Sequence, residues 1–117
     1  MLSHVLERGV LVVTVHQDPG TARRTELATR ISGLVQAYKP APVVIILDDP
    51  AATSASVSAV LRAHSLCGRL GSLMSVATHS APARRLLEAN ADTGSPRMVI
   101  HSRIDIAISA ANTAAAA

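Results

Sequence analysis

Val43-Val44-Ile45-Ile46-Leu47, closed at once by Asp48-Asp49-Pro50, is the most apolar segment of the chain. Five aliphatic residues with no polar break match a strand covered on both faces, the pattern of a central strand in a parallel sheet. Upstream, Val10-Leu11-Val12-Val13-Thr14-Val15 has the same character. Between the two, Asp18-Pro19-Gly20 supplies turn chemistry. Leu27, Ile31, Leu34, Val35 and Tyr38 then recur at helical spacing, with Thr21 as the expected N-cap, until Lys39-Pro40-Ala41-Pro42 ends the helix. A strand, a helix and a second strand in that order make a right-handed crossover unit.

The pattern continues downstream. After the small, polar stretch Ala51–Ser56, helical spacing returns at Val57, Val60, Leu61 and His64 and runs to about Gly68–Gly71. Leu73–Ala77 reads as a third, shorter strand. Ser80 is the expected N-cap of a short helix with Pro82 in its first turn and with Leu86 and Leu87 facing inward to about Asn90. Gly94-Ser95-Pro96 reads as a loop and Met98-Val99-Ile100 as a final strand. Ser102-Arg103-Ile104-Asp105 matches a capping box that launches a helix with Ile104, Ala107, Ile108 and Ala111 on one face. Ser3–Leu6 adds one short edge strand. The expectation is an α/β single domain, with a mixed, mostly parallel sheet of four to five strands and about four helices. Its core spans about 5–111, and 112–117 is an Ala-rich tail expected to fray.

The 117 residues fit one domain, and 16% charged residues with 49% apolar ones exclude disorder by composition. No apolar run reaches the roughly 18–20 residues of a membrane span. Val10–Val15 follows Glu7 and Arg8 and precedes no cleavage-like segment, so no signal peptide is expected. The single cysteine, Cys67, excludes an internal disulfide framework and fits a reducing, cytoplasmic setting. It reads as a buried small hydrophobe before it reads as a nucleophile. The net charge of +3 raises the question of nucleic acid. The eleven basic residues never form a block, however, and Tyr38 is the sole aromatic, so no platform for stacked bases is expected.

Ligands of parallel α/β sheets sit at the carboxyl ends of strands, so chemistry is expected at those junctions. Asp18-Pro19-Gly20-Thr21 has neither a dinucleotide fingerprint nor a phosphate loop. Asp48-Asp49 would suit a metal or a phosphoryl group as in response-regulator receivers. That chemistry needs a third acidic residue at a neighbouring strand end and a later Lys, whereas the sole lysine, Lys39, precedes a strand. A solvated turn is the reading favoured there. His4, His16, His64, His79 and His101 lack ligand spacing, and one cysteine completes no zinc set. His16, His79 and His101 do fall at strand ends, where they would gather on one rim. Gly-x-Ser-x-Gly is absent. No catalytic residue, metal or cofactor is expected. In Ala51–Ser56, a Ser or Thr at the helix start is ordinarily an N-cap worth about 0.5–2 kcal/mol. The same position suits a phosphate, whose charge the helix N-terminus stabilises.

With these residues in place the chain resembles a family. Val43–Leu47, a short loop, Thr53-Ser54-Ala55-Ser56, then Val57 to His64 and Gly71 look like the STAS domain of bacterial anti-sigma factor antagonists. Gly9-Val10-Leu11-Val12-Val13, Ser80 to Glu88 and the closing Ser102–Ala111 helix extend the likeness over about residues 5–111. The resemblance implies a STAS-like fold and no enzyme activity. It implies a protein that binds an anti-sigma factor with serine-kinase activity, frees a sigma factor for transcription, and works as a monomer or weak homodimer. In the family the kinase phosphorylates a Ser in an Asp-Ser-Ser-Gly segment opening the second helix, and the added charge ends the association.

This sequence departs from that segment. Alignment through the helix sets it on Thr53, Ser54, Ala55 and Ser56, with Ala55 at the acceptor position. Alignment from the preceding strand sets it on Ser54, Ala55, Ser56 and Val57, with Ser56 as acceptor. The family's Asp and Gly are missing under both, which leaves Ser54 and Ser56 as phosphorylation candidates. The implied partner surface is Asp48, Asp49, Thr53, Ser54, Ser56, Ser58 and Arg62. Two alternatives stand beside it. A STAS-like scaffold that binds a small ligand or regulates a transporter complex would show a pocket with convergent polar groups. A small α/β enzyme would show Asp48 or Asp49 clustered with the strand-end histidines.

Overall fold

In the computed structural model, residues 2–39, 41–70, 73–90 and 98–116 are described; Gly71 and the expected loop at Gly94-Ser95-Pro96 lie outside them, as does the side chain of Cys67. Elements follow in the order β1 (Leu2–Glu7), β2 (Val10–Val15), α1 (Gly20–Tyr38), β3 (Val43–Leu47), a 3-10 turn (Asp49–Ala51), α2 (Ser54–Leu70), β4 (Met74–Thr78), α3 (Ala81–Asn90), β5 (Val99–His101) and α4 (Ile104–Ala116). Among the described residues the strands form one sheet in the order β1-β2-β3-β4-β5. β1 is antiparallel to β2, and every later pair is parallel. This is the expected α/β architecture, and it is consistent with a STAS-like fold.

The β1–β2 hairpin turns on Arg8 (φ 52°) and Gly9 (φ 80°). Two successive positive φ angles match a two-residue turn whose twist suits the flanking strands. A methyl added at Gly9 would meet no atom within 4 Å, so its cost is conformational alone. Gly9→Ala is therefore expected to lower stability by about 1 kcal/mol, read as a shifted urea midpoint at unchanged slope.

Alternation along the buried strands divides the core in two. Leu11, Val13 and Val15 point, with Ile45, Leu47 and Val76, towards Leu27, Ile31 and Val35 of α1, Val57 and Val60 of α2, and Ala83 and Leu87 of α3. Val10, Val12, Val44, Ile46 and Ala77 point the other way, onto Ala107 and Ala111 of α4. Three helices thus cover one face and α4 covers the other. The continuous apolar runs of β2 and β3 are explained by burial on both sides.

Several local expectations are corrected. Leu87 is buried but Leu86 is 42% exposed; neighbours on a helix are about 100° apart, and both cannot face the same sheet. Thr21 does not cap α1. Asp18 Oδ1 instead accepts from the Gly20 N–H at 2.9 Å, and Gly20 adopts φ 63°. Ser80 does cap α3, accepting from the Ala83 N–H at 3.2 Å. Asp105 pairs with the Arg103 guanidinium at 2.9 Å, where a capping-box contact to Ser102 was expected. α4 runs through Ala116. Asn112 helps to hold it, donating to the Arg8 carbonyl at 2.7 Å.

His64 lies half-buried on α2, and burial pushes its imidazole below the ordinary value of 6.5. The unfolded chain then binds the proton more readily than the folded one. Stability on this account is complete above pH 6.5 and declines as pH falls towards the folded value. His64→Gln is expected to lose less stability than the native chain in urea titrations stepped from about pH 7 to about pH 5.

Candidate functional site

Register brings the strand-end residues into line. Val15, Leu47 and Thr78 are cross-strand partners, so His16, Asp48 and His79 each stand one residue beyond that row. Asp48 is held by its own backbone, the N–H donating to the Val15 carbonyl at 3.1 Å. Its Oδ2 lies 2.9 Å from His16 Nδ1, and His16 Nε2 lies 2.8 Å from Ser3 Oγ on β1. A carboxylate oxygen only accepts, so Nδ1 carries the proton. In the neutral ring Nε2 is then the acceptor, and the Ser3 hydroxyl donates to it. The His16 and Asp48 side chains are 46% and 41% exposed, so solutes reach the array.

A second hydrogen-bonded group surrounds the start of α2. The Thr53 hydroxyl donates to Asp18 Oδ1 at 2.9 Å and accepts from the Ser56 N–H at 3.3 Å, which makes Thr53 the N-cap. With the Thr53 proton committed to Asp18, the Ser56 hydroxyl is the donor in their 3.4 Å contact. Ser56 is 0% exposed. Ser54, the first residue of the helix, is exposed, as is Asp49. The helix begins inside the stretch expected to be loop, and this buries one phosphorylation candidate while presenting the other.

The remaining surface residues fall on separate features. Ser58 and Arg62 line a hollow of about 260 Å³ between α1 and α2, shared with Arg24. A groove of about 660 Å³ beside α4 is lined by Arg8, His79, Arg103, Ile104 and Ile108, among others. His101 borders a third hollow with Pro42, Leu73 and Ala111. His16, His79 and His101 therefore line different features and do not share one. Among the described residues no three His, Cys, Asp or Glu side chains converge as a metal site would require. No described helix is long and apolar enough to cross a membrane.

Neither a scan against protein-family models nor a search of curated proteins finds a match to this chain.

Three residues of these groups are not marked as site residues by any sequence motif: Ser3, Asp18 and Arg24. Asp18 was legible as a turn residue, but its contact with Thr53 spans 35 positions. Placing two parallel strands side by side would have paired His16 with Asp48, since each directly follows its strand. Ser3 depends on the hairpin register, which the Arg8-Gly9 turn sets.

Proposed function

We propose that the protein is an anti-sigma factor antagonist-like regulator of transcription, acting by contact with an anti-sigma factor of the serine-kinase type and switched by phosphorylation of Ser54. The observation that carries this reading is the exposure of Ser54 at the first position of α2, beside a Thr53 cap whose oxygen is already engaged. Phosphorylation adds about −1.5 to −2 charge there. The helix N-terminus tolerates that charge, so the modified protein stays folded. A partner packed on the same surface meets the charge beside Asp48 and Asp49, and repulsion with desolvation weakens the association. Ser58 and Arg62 of α2, with Arg24 of α1, extend the proposed contact surface. The protein is read as cytoplasmic in this role.

The test is capture of the tagged protein from its native cytosol with phosphopeptide mapping of the bait. Recovery of a kinase-like anti-sigma factor, with phosphate on Ser54, is the expected outcome. The same partner without phosphate would mean a constitutive antagonist, and no such partner would overturn the reading.

The groove beside α4 favours a second reading, a scaffold that binds a small ligand. Arg8, Glu7, Arg103 and Asp105 offer charges of both signs, and Ile104 and Ile108 an apolar wall. Such a ligand would be a small polar molecule with an apolar body. Its binding to the isolated protein, by calorimetry, separates this reading from the first.

A further inference from the structure

We propose that Ser3 is an activated nucleophile, with His16 as its general base and Asp48 as the residue that positions His16, and that the array accepts an acyl group from an activated acyl donor such as an aryl ester or a thioester. The proposal is independent of the partner reading, since it concerns covalent chemistry at Ser3 and no protein contact.

The geometry has the three links that such chemistry requires: a nucleophile within reach of a base, and a base oriented by a third group. Ser3 Oγ lies 2.8 Å from His16 Nε2, and Asp48 Oδ2 lies 2.9 Å from Nδ1. With the Nδ1 proton facing the carboxylate, the lone pair of Nε2 faces the hydroxyl, which is the tautomer a base needs. Ser3 lies on β1, and His16 and Asp48 each directly follow one of the next two strands, β2 and β3. Ser3 is fixed by the β1–β2 ladder, where it pairs with Thr14. Asp48 is fixed by its bond to the Val15 carbonyl. The array is also open, with nearly half of the His16 side chain in contact with solvent.

The step balances without an additional reactant. Ser3 Oγ bonds to the acyl carbon as its proton passes to His16 Nε2, and the C–O or C–S bond of the donor breaks, the leaving group departing with the electron pair. An aryloxide or thiolate leaves as an anion and takes no proton, which is why the donor class is an activated ester and not an amide. Deacylation reverses the roles. His16 first gives the proton it took from Ser3 to solvent, then takes one from water as the water oxygen bonds to the acyl carbon, and Ser3 Oγ leaves with that proton.

A fluorophosphonate probe tests the nucleophile, because the Ser3 oxygen bonds to phosphorus as fluoride leaves and the adduct is stable to peptide mapping. p-Nitrophenyl acetate then tests acyl transfer by release of nitrophenolate. Native protein is expected to carry the probe on Ser3, and His16→Ala to label about 100-fold more slowly, the low end of general-base catalysis, given the exposure of the array. Free imidazole in the buffer should restore part of that rate, which no purely structural role for His16 would allow. Ser3→Ala should remove both the adduct and the nitrophenolate release. Asp48→Asn should slow labelling, and Asp48→Glu should recover most of the loss. Circular dichroism confirms that each variant is folded; if His16→Ala is not, His16→Gln takes its place. Labelling spread evenly over exposed serines, or a Ser3 rate unchanged without the imidazole, would overturn the proposal and leave the array as a brace between β1 and β3.

Discussion

Ile45→Ala is expected to unfold at a markedly lower urea concentration than the native chain, the shift corresponding to about 3–4 kcal/mol. Ile45 is 0% exposed at the middle of β3, with β2 on one side and β4 on the other. Its side chain belongs to the larger core cluster, which gathers residues of α1, α2 and α3. Truncation removes buried methylene groups and leaves a void that strands paired on both edges cannot close. Transfer and cavity terms therefore add. A domain of this size has about 5–15 kcal/mol in total, so the variant loses a large fraction of it. Val99→Ala is the control. Val99 is 53% exposed on the last strand, and its loss should change stability by about 0.5 kcal/mol at most. Equal effects from the two substitutions would contradict the placement of β3 at the centre.

The second large effect separates Ser54 from Ser56. Ser54→Asp places a charge in the first turn of α2 at an exposed position, where the helix N-terminus favours it by about 0.3–1 kcal/mol. It is expected to fold like the native chain and to lose capture of the anti-sigma partner by tenfold or more, an order-of-magnitude estimate from repulsion and desolvation at a contact surface. Ser56→Asp behaves in the opposite way. The side chain is fully buried, and its one hydrogen bond among the described residues is to the Thr53 hydroxyl. An unpaired buried charge costs about 3–5 kcal/mol, of which the helix dipole offsets at most about 1. A net loss of about 2–4 kcal/mol should appear in urea melts. Should Ser56→Asp melt like the native chain while Ser54→Asp does not, the assignment of the acceptor is reversed.

The parts of the fold that were legible are those in which local pattern and tertiary burial agree. Val10–Val15 and Val43–Leu47 are apolar on both faces because both faces are covered, and no competing reading fits such runs. The start of α2 was misplaced because Ser54, Ala55 and Ser56 do not mark a helix interior: Ser is a weak helix former that competes for backbone bonds. Packing of Val57, Ala59 and Val60 against the sheet overrides that preference. The capping box at Ser102 failed because a guanidinium two residues from Asp105 is a stronger partner for its carboxylate than a backbone N–H. The candidate site was half legible. His16 and Asp48 were each visible as strand-end residues, but their meeting depends on register, where a slip of one residue sends a side chain to the opposite face. Ser3 adds an antiparallel partner from the other side, a relation carried by no local motif.

The unequal covering of the sheet has a consequence for how the molecule is made. Strand order equals chain order, so as the polypeptide emerges each strand can dock beside the one before it, and α1, α2 and α3 close over one face in turn. The opposite face gains no such cover along the way. Val10, Val12, Val44, Ile46 and Ala77 stay open to water until the last helix arrives, because Ala107 and Ala111 of α4 are what seals them. A nascent chain halted before Ile104 would carry a broad, bare β-surface, the kind that sticks to its neighbours. The Asn112 clasp on the Arg8 carbonyl then ties α4 to the β1–β2 turn, so that sealing the second face also braces the hairpin.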